Sequence, residues 1–188
     1  MSIQLATIND DASYTLEQYR DEIPDFAKDI RLNLGTVLTP EGAPELSEAQ
    51  IYAIALASAY AAGQPKLIAA LKNLSSGKID DALLQAAKAA ASIMAMNNIY
   101  YRFVHLSGDD ELKKLPAKLR MNVIGSPGVN KIDFELMCLA VSAVNGCGMC
   151  IEAHNHELLK AGATKLALQS TARIAAVIHA AAKVHLIY

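Results

Sequence analysis

The chain has 188 residues, 53% of them hydrophobic and 19% charged, which is enough apolar surface for one sizeable core and excludes intrinsic disorder. Seventeen Lys and Arg against 19 Asp and Glu give a formal charge of −2 with no basic cluster, so nucleic acid is not an expected partner. Three cysteines, an odd number, argue for catalytic or metal-binding sulfur over a disulfide scaffold.

Met1 to Ser13 carries Asp10 and Asp11 and lacks the basic-then-apolar pattern of a secretion signal, and residues 1–14 read as a flexible N-terminal extension. A first helix is expected from about Thr15 to Asn33, kinked or split at Pro24, because proline removes a helix donor and clashes with the preceding turn. Thr36 to Leu46, with Pro40, Gly42 and Pro44, is a loop. Ser47-Glu-Ala-Gln50 has the spacing of a capping box and opens a helix that ends near Gly63-Gln-Pro65. The longest nearly apolar run, Ile51 to Gly63, is well short of the roughly 20 residues that span a bilayer. No membrane segment is therefore expected, and the protein reads as cytoplasmic.

A short helix follows from Pro65 to about Ser75, and Asp80 can cap a long one from Asp81 to about Phe103. The polar stretch Ser107 to Lys114 leads through Pro116 into a short helix and the turn Gly125-Ser-Pro-Gly128. Asn130 and Asp133 suit the start of a helix reaching about Asn145. After Gly146 a helix from about Cys147 to Ala161 is expected, then a break at Gly162 and a last helix from Thr164 to about Ile187. Strand-like alternation is absent, so the fold class is all-α, a single compact helical domain over residues 1–188.

A faint repeat runs at an offset of 84 residues: Ser58-Ala59 aligns with Ser142-Ala143, Ala69 with Ala153, Leu74 with Leu158, and Leu84-Gln85 with Leu168-Gln169. This fits either a duplicated helical unit or coincidence in Ala-rich sequence. At that offset Gly63 and Lys66 stand where Cys147 and Cys150 stand, so only the second copy holds chemistry.

The informative stretch runs from Glu135 through Cys147-Gly-Met-Cys150-Ile-Glu-Ala-His154. At about 100° per residue, Cys150 lies some 60° from Cys147 around a helix and His154 falls between them, so all three share one stripe. Residues three apart have Cβ atoms roughly 5–6 Å apart, close enough for a disulfide after modest adjustment, and His154 can reach the Cys150 sulfur directly or through one water. A free thiol of pKa about 8.5 is only a few per cent thiolate at pH 7. Peroxide chemistry needs the thiolate, which a helix N-terminus and a proton-accepting imidazole both favour. A sulfenic acid formed on one sulfur can then condense with the other thiol.

Glu135 is a conspicuous carboxylate among Phe134, Leu136, Met137, Leu139, Val141 and Val144, with Ser142 on its face. It is either a first-turn carboxylate favoured by the helix dipole or a group that orients His154 and relays protons. Cys147, Cys150, His154 and His156 could also be read as zinc ligands, but His156 lies about 180° from Cys147 on the same helix and cannot close that tetrahedron. An inert structural role for both cysteines is a further alternative. Cys138 reads as core, His105, His179 and His185 as ordinary surface or core histidines, and Met94 and Met96 as packing.

The runs Phe134-Glu135-Leu136 and Val141-Ser-Ala-Val-Asn-Gly-Cys147-Gly-Met-Cys150-Ile-Glu-Ala-His154-Asn-His156 closely resemble the alkylhydroperoxidase D family, within the carboxymuconolactone decarboxylase-like superfamily. Met94 to Arg102 and Leu119 to Gly128 resemble that family's flanking segments, so the likeness covers most of the chain from about Pro24. The resemblance implies an all-helical subunit, assembled as a homotrimer, that reduces organic hydroperoxides and also the partner peroxiredoxin alkyl hydroperoxide reductase C. It implies electrons from the lipoyl group of a lipoylated acyltransferase served by dihydrolipoamide dehydrogenase, with no bound cofactor and no metal. By position, Cys150 would carry the sulfenic acid, Cys147 would be proton donor and resolving thiol, and His154 and Glu135 would form the proton relay. The helix-end argument alone favours Cys147 as the activated sulfur. Met149 stands where some relatives have a histidine, so activation from that side is absent here. The superfamily's lactone decarboxylation uses no cysteine pair, which counts against it. A general disulfide oxidoreductase or redox-sensing protein with little peroxidase turnover is the remaining alternative.

Overall fold

A computed structural model describes residues 14–187, and every regular element among them is helical. Residues 1–13 of the expected N-terminal extension lie outside the described residues. Tyr14 is docked: its hydroxyl donates to Glu22 Oε1 at 2.8 Å and its carbonyl accepts from Asn73 Nδ2 at 2.7 Å.

Pro24 splits the first expected helix. Helix α1 spans Leu16–Asp21, a 3-10 turn spans Asp25–Ala27, and α2 spans Lys28–Thr36. Arg31 bridges the break by donating to the Ile23 carbonyl at 3.1 Å. Helix α3, Glu48–Ala62, opens on the expected capping box, with Ser47 Oγ accepting from Gln50 N–H and Gln50 Oε1 accepting from Ser47 N–H. It ends at Gly63, which takes the left-handed conformation (φ 74°) that glycine alone enters without a Cβ penalty. Helix α4, Pro65–Ser75, follows with its proline in the first turn, and Asp80 caps α5, Asp81–Leu106.

The polar stretch expected before Pro116 contains a short helix, α6, Asp110–Lys114, held by the Asp109 cap and the pairs Lys113–Asp110 and Lys114–Glu111. Helix α7 is the turn Asn122–Gly125. Helix α8 spans Lys131–Asn145 and ends at Gly146 (φ 68°), α9 spans Gly148–Lys160, and α10 spans Lys165–Ile187.

The core is organised around α3 and α8, which pack on each other and on both long helices, α5 and α10. Nine consecutive residues of each, 51–59 and 134–142, are buried, so both are enclosed on all sides. Helix α4 packs on α3 and α9 on α8, and one hydrophobic cluster joins the whole. Among the described residues no helix is long and apolar enough to cross a membrane.

The repeated pattern of helix, left-handed glycine and capped helix occurs at a spacing of 83 residues across the two turns, one less than the identity count suggests. Gly63 corresponds to Gly146, Gln64 to Cys147, Leu67 to Cys150 and Leu71 to His154. Gly63 and Lys66 are thus not the counterparts of the two cysteines. The glycine that reverses the chain sets the register, and sparse alanine identities do not report it.

Candidate active site

The two cysteines come from the turn between α8 and α9. Gly146 turns the chain out of α8, Cys147 is extended (φ −96°, ψ 92°), and α9 begins at Gly148. Cys147 is therefore the N-cap of α9 and not a residue of its first turn. Its sulfur takes the place of a capping oxygen and accepts the Cys150 N–H at 3.3 Å. A disulfide joins Cys147 to Cys150, their Cα atoms 5.3 Å apart, within the usual span of such bonds. Cys147 is fully buried, whereas Cys150 borders a pocket of about 250 Å³.

His154, one turn along α9, is buried with its Nδ1 2.7 Å from Glu135 Oε2, itself buried on the second turn of α8. Glu135 is the fifth residue of α8, past its first turn, and its carboxylate is placed where it can hold the imidazole. An Nδ1–H donating to the carboxylate fixes the ring and leaves Nε2 as the nitrogen able to take a proton. Nε2 lies 3.4 Å from Met94 Sδ on α5, so in this disulfide form both ring nitrogens have neighbours other than the Cys150 sulfur. Glu135 also borders a second depression, lined by Lys131, Glu157 and Lys160, on which His154 does not open.

Ser142, on the face of Glu135 as expected, is buried and accepts from Asn98 Nδ2 at 2.9 Å; Asn98 Oδ1 in turn accepts from Asn145 Nδ2 at 2.9 Å. Arg102 donates to the Asn145 carbonyl at the end of α8, where unpaired carbonyls favour a cation. This chain of side chains locks α5 to the last turn of α8 and so fixes the turn that presents the cysteines.

Helix α5 supplies what the local sequence reading missed. Met94, assigned to packing, is indeed in the core, but its sulfur also faces His154 Nε2 and lies 3.7 Å from Ser142 Oγ. Asn97 and Tyr101 border the pocket on the same helix face. Met121 comes from the segment before α7, with its sulfur 3.8 Å from the Tyr101 hydroxyl. The signal was present as the Asn97-Asn98 pair, two amides inside an otherwise apolar stretch of helix.

The other expectations divide cleanly. Cys138 is a buried free thiol, pushed well above its ordinary pKa by burial and secondarily by the Glu135 carboxylate, and it takes no part in the pocket. His156 is exposed, away from the buried pair. No group of three or more His, Cys, Asp or Glu side chains among the described residues is arranged to hold a metal ion.

A solvent-reachable Cys-x-x-Cys disulfide, backed by a buried His–Glu pair in an all-helical frame, defines the class of helical dithiol–disulfide proteins. Residues 110–186, which hold this site apart from its α5 wall, match the model of the carboxymuconolactone decarboxylase family. The full chain is 54% identical over 172 residues to alkyl hydroperoxide reductase AhpD of Coxiella burnetii, covering 92% of this chain and 97% of that protein. It is 54% identical over 170 residues to the Rhodospirillum centenum AhpD, covering 90% of each chain, and 50% identical over 168 residues to the Brucella abortus one, covering 89% and 94%. The chain belongs to the AhpD family.

Proposed function

We propose that this protein is a thiol peroxidase that reduces organic hydroperoxides through the Cys147–Cys150 pair, with Cys150 as the attacking sulfur. The observation that carries the reading is the unequal access of the two sulfurs: Cys150 borders the pocket and Cys147 is sealed beneath it. The helix-end argument that favours Cys147 is outweighed, because a thiolate that no peroxide can reach does no chemistry.

In the reduced protein His154 Nε2 takes the Cys150 proton. The thiolate attacks the terminal oxygen of the hydroperoxide, an S–O bond forms as the O–O bond breaks, and the departing alkoxide takes the proton back from His154. Cys147 then attacks the sulfenic sulfur. The S–S bond forms, the S–O bond breaks, and hydroxide leaves with the Cys147 proton as water. The sum is dithiol plus hydroperoxide giving disulfide, alcohol and water. Glu135 holds the imidazole, and its border on the Lys131 depression offers the relay an exchange with solvent apart from the substrate pocket.

A dithiol donor closes the cycle by thiol–disulfide exchange at Cys150. We assign this role to the lipoyl group of an acyltransferase recharged by dihydrolipoamide dehydrogenase in the cytoplasm, and we take the peroxiredoxin alkyl hydroperoxide reductase C as a second oxidised partner. The name these relatives carry, alkyl hydroperoxide reductase, supports the peroxide-reducing part of this reading, and the donor and the peroxiredoxin partner are taken from the family resemblance. We further propose a homotrimer. Ile99, Phe103 and Leu106 form an exposed apolar stripe on the last turns of α5, with Leu115 beyond it, as a subunit contact requires.

The test is hydroperoxide consumption by the purified protein with dihydrolipoamide as reductant. Turnover that vanishes in Cys150→Ser supports the reading. Absence of turnover together with rapid reduction of the peroxiredoxin would instead make the protein a disulfide oxidoreductase.

A further inference from the structure

Asn97 is 4% exposed, and its Oδ1 is buried with no hydrogen-bond partner. Its neighbour Asn98 shows what the same side chain does when its role is structural, with both ends of the amide satisfied by Ser142 and Asn145. A buried amide oxygen without a partner is disfavoured by folding, and native proteins keep few of them; the oxygen being sealed, the NH2 end is the part of this amide left for a ligand. Asn97 is also placed where a ligand can use it. It borders the pocket that Cys150 and His154 border, beside Met94, Tyr101 and Met149. Apart from Cys150 and His154, the lining is mostly thioether, ring and aliphatic carbon, so Asn97 carries the main polar side chain in the wall around anything bound there. The Tyr101 hydroxyl is turned to Met121.

We infer that Asn97 is the substrate-binding amide of this pocket, hydrogen-bonding the peroxide group of an alkyl hydroperoxide while the apolar walls hold its carbon chain. This deepens the peroxidase reading and rests on it. Attack by the Cys150 thiolate at the terminal oxygen drives negative charge onto the oxygen that leaves with the alkyl group. An amide N–H held in a water-poor pocket stabilises that charge as it develops. A dithiol reducing the Cys147–Cys150 bridge brings no such oxygen, so the amide serves the oxidative half of the cycle and not the reductive half.

Three variants test this by stopped-flow on each half-reaction: Asn97→Leu, which keeps the volume, Asn97→Asp, which keeps the shape but lacks the N–H donors, and Asn97→Gln. In Asn97→Leu, oxidation of the reduced protein by cumene hydroperoxide is expected to slow by about 10²- to 10³-fold. Reduction of the disulfide by dithiothreitol should stay within twofold of the parent, and the Tm should be unchanged or higher, because an unsatisfied buried group has been removed. Asn97→Asp should be as slow as the leucine variant, and Asn97→Gln should recover part of the rate. A peroxide rate in Asn97→Leu equal to the parent's overturns the inference. So does a parallel loss of both half-reactions with a fall in Tm, which marks a structural amide, and full activity in Asn97→Asp overturns the donor role. If the parent itself fails to react with hydroperoxide, the peroxidase reading fails instead.

Discussion

The turns α3–Gly63–α4 and α8–Gly146–α9 are built alike and do different work. Each ends a helix with a buried middle on a left-handed glycine and restarts with an N-cap whose side chain accepts the N–H three residues on: Gln64 Oε1 from Leu67 at 2.7 Å, and Cys147 Sγ from Cys150 at 3.3 Å. In the first turn the next inward positions are Leu67 and Leu71, both in the core. In the second they are Cys150 and His154, and Glu135 stands where the first unit has Tyr52. The frame therefore needs nothing reactive in order to fold. The second turn trades apolar burial for a cap that carries a redox sulfur and for a buried, hydrogen-bonded His–Glu pair.

The comparison breaks most visibly if the second turn is made to resemble the first. His154→Leu should lower hydroperoxide turnover by about 10²- to 10⁴-fold, the usual worth of a positioned acid–base group. It should also destabilise the fold by about 3 kcal/mol or more, because the Glu135 carboxylate is left buried without its partner. Adding Glu135→Leu should restore the stability to within about 1 kcal/mol of the parent while turnover stays lost. Chemical denaturation of the single and double variants checks both halves, and a double variant no more stable than the single one would show that the pair is not the source of the loss.

Leu71→Ala, in the inert turn, should cost about 2–4 kcal/mol by leaving a cavity, yet the folded fraction should oxidise at the parent's rate. Gly63→Ala and Gly146→Ala each force a side chain into a left-handed backbone with open space around it, at a cost of about 1 kcal/mol apiece. Thermal melts should show equal losses, and peroxidase assays should show a rate change only for Gly146→Ala, which bears on Cys147.

The smallest effect lies outside both turns. His179 on α10 has its pKa lowered by burial and then by Lys183, so the unfolded chain takes up the proton first as pH falls. Its contribution to stability is full above the ordinary value of 6.5 and is lost as pH drops through the lower folded value. Melts from pH 7.5 to 5 should show a steeper decline in the parent than in His179→Gln, and parallel curves would remove His179 from the acid response.

Much of this was legible in the chain. Period and punctuation gave the helices from Ser47 onward, because capping boxes, prolines and glycines act locally. Helix α6 escaped because two lysine–carboxylate pairs and a cap hold it with no apolar stripe to read. The stripe of Cys147, Cys150 and His154 follows from spacing alone, although periodicity put Cys147 inside a helix that it caps. Of the wall opposite, only the Asn97-Asn98 pair left a local mark. Met94, Asn97, Tyr101 and Met121 lie 29 to 56 residues before Cys150 in sequence and meet it because α5 packs on α8 and α9 and the segment before α7 sets Met121 against Tyr101. No local pattern encodes that crossing.

The most direct measurement is trapping of the sulfenic acid with a dimedone probe in Cys147→Ser and Cys150→Ser after one equivalent of alkyl hydroperoxide. Label on Cys150 in the first variant and none in the second is the predicted result. Label on Cys147 in the second would contradict the account, because it would mean that the sulfur buried under α9 is the one that meets the oxidant.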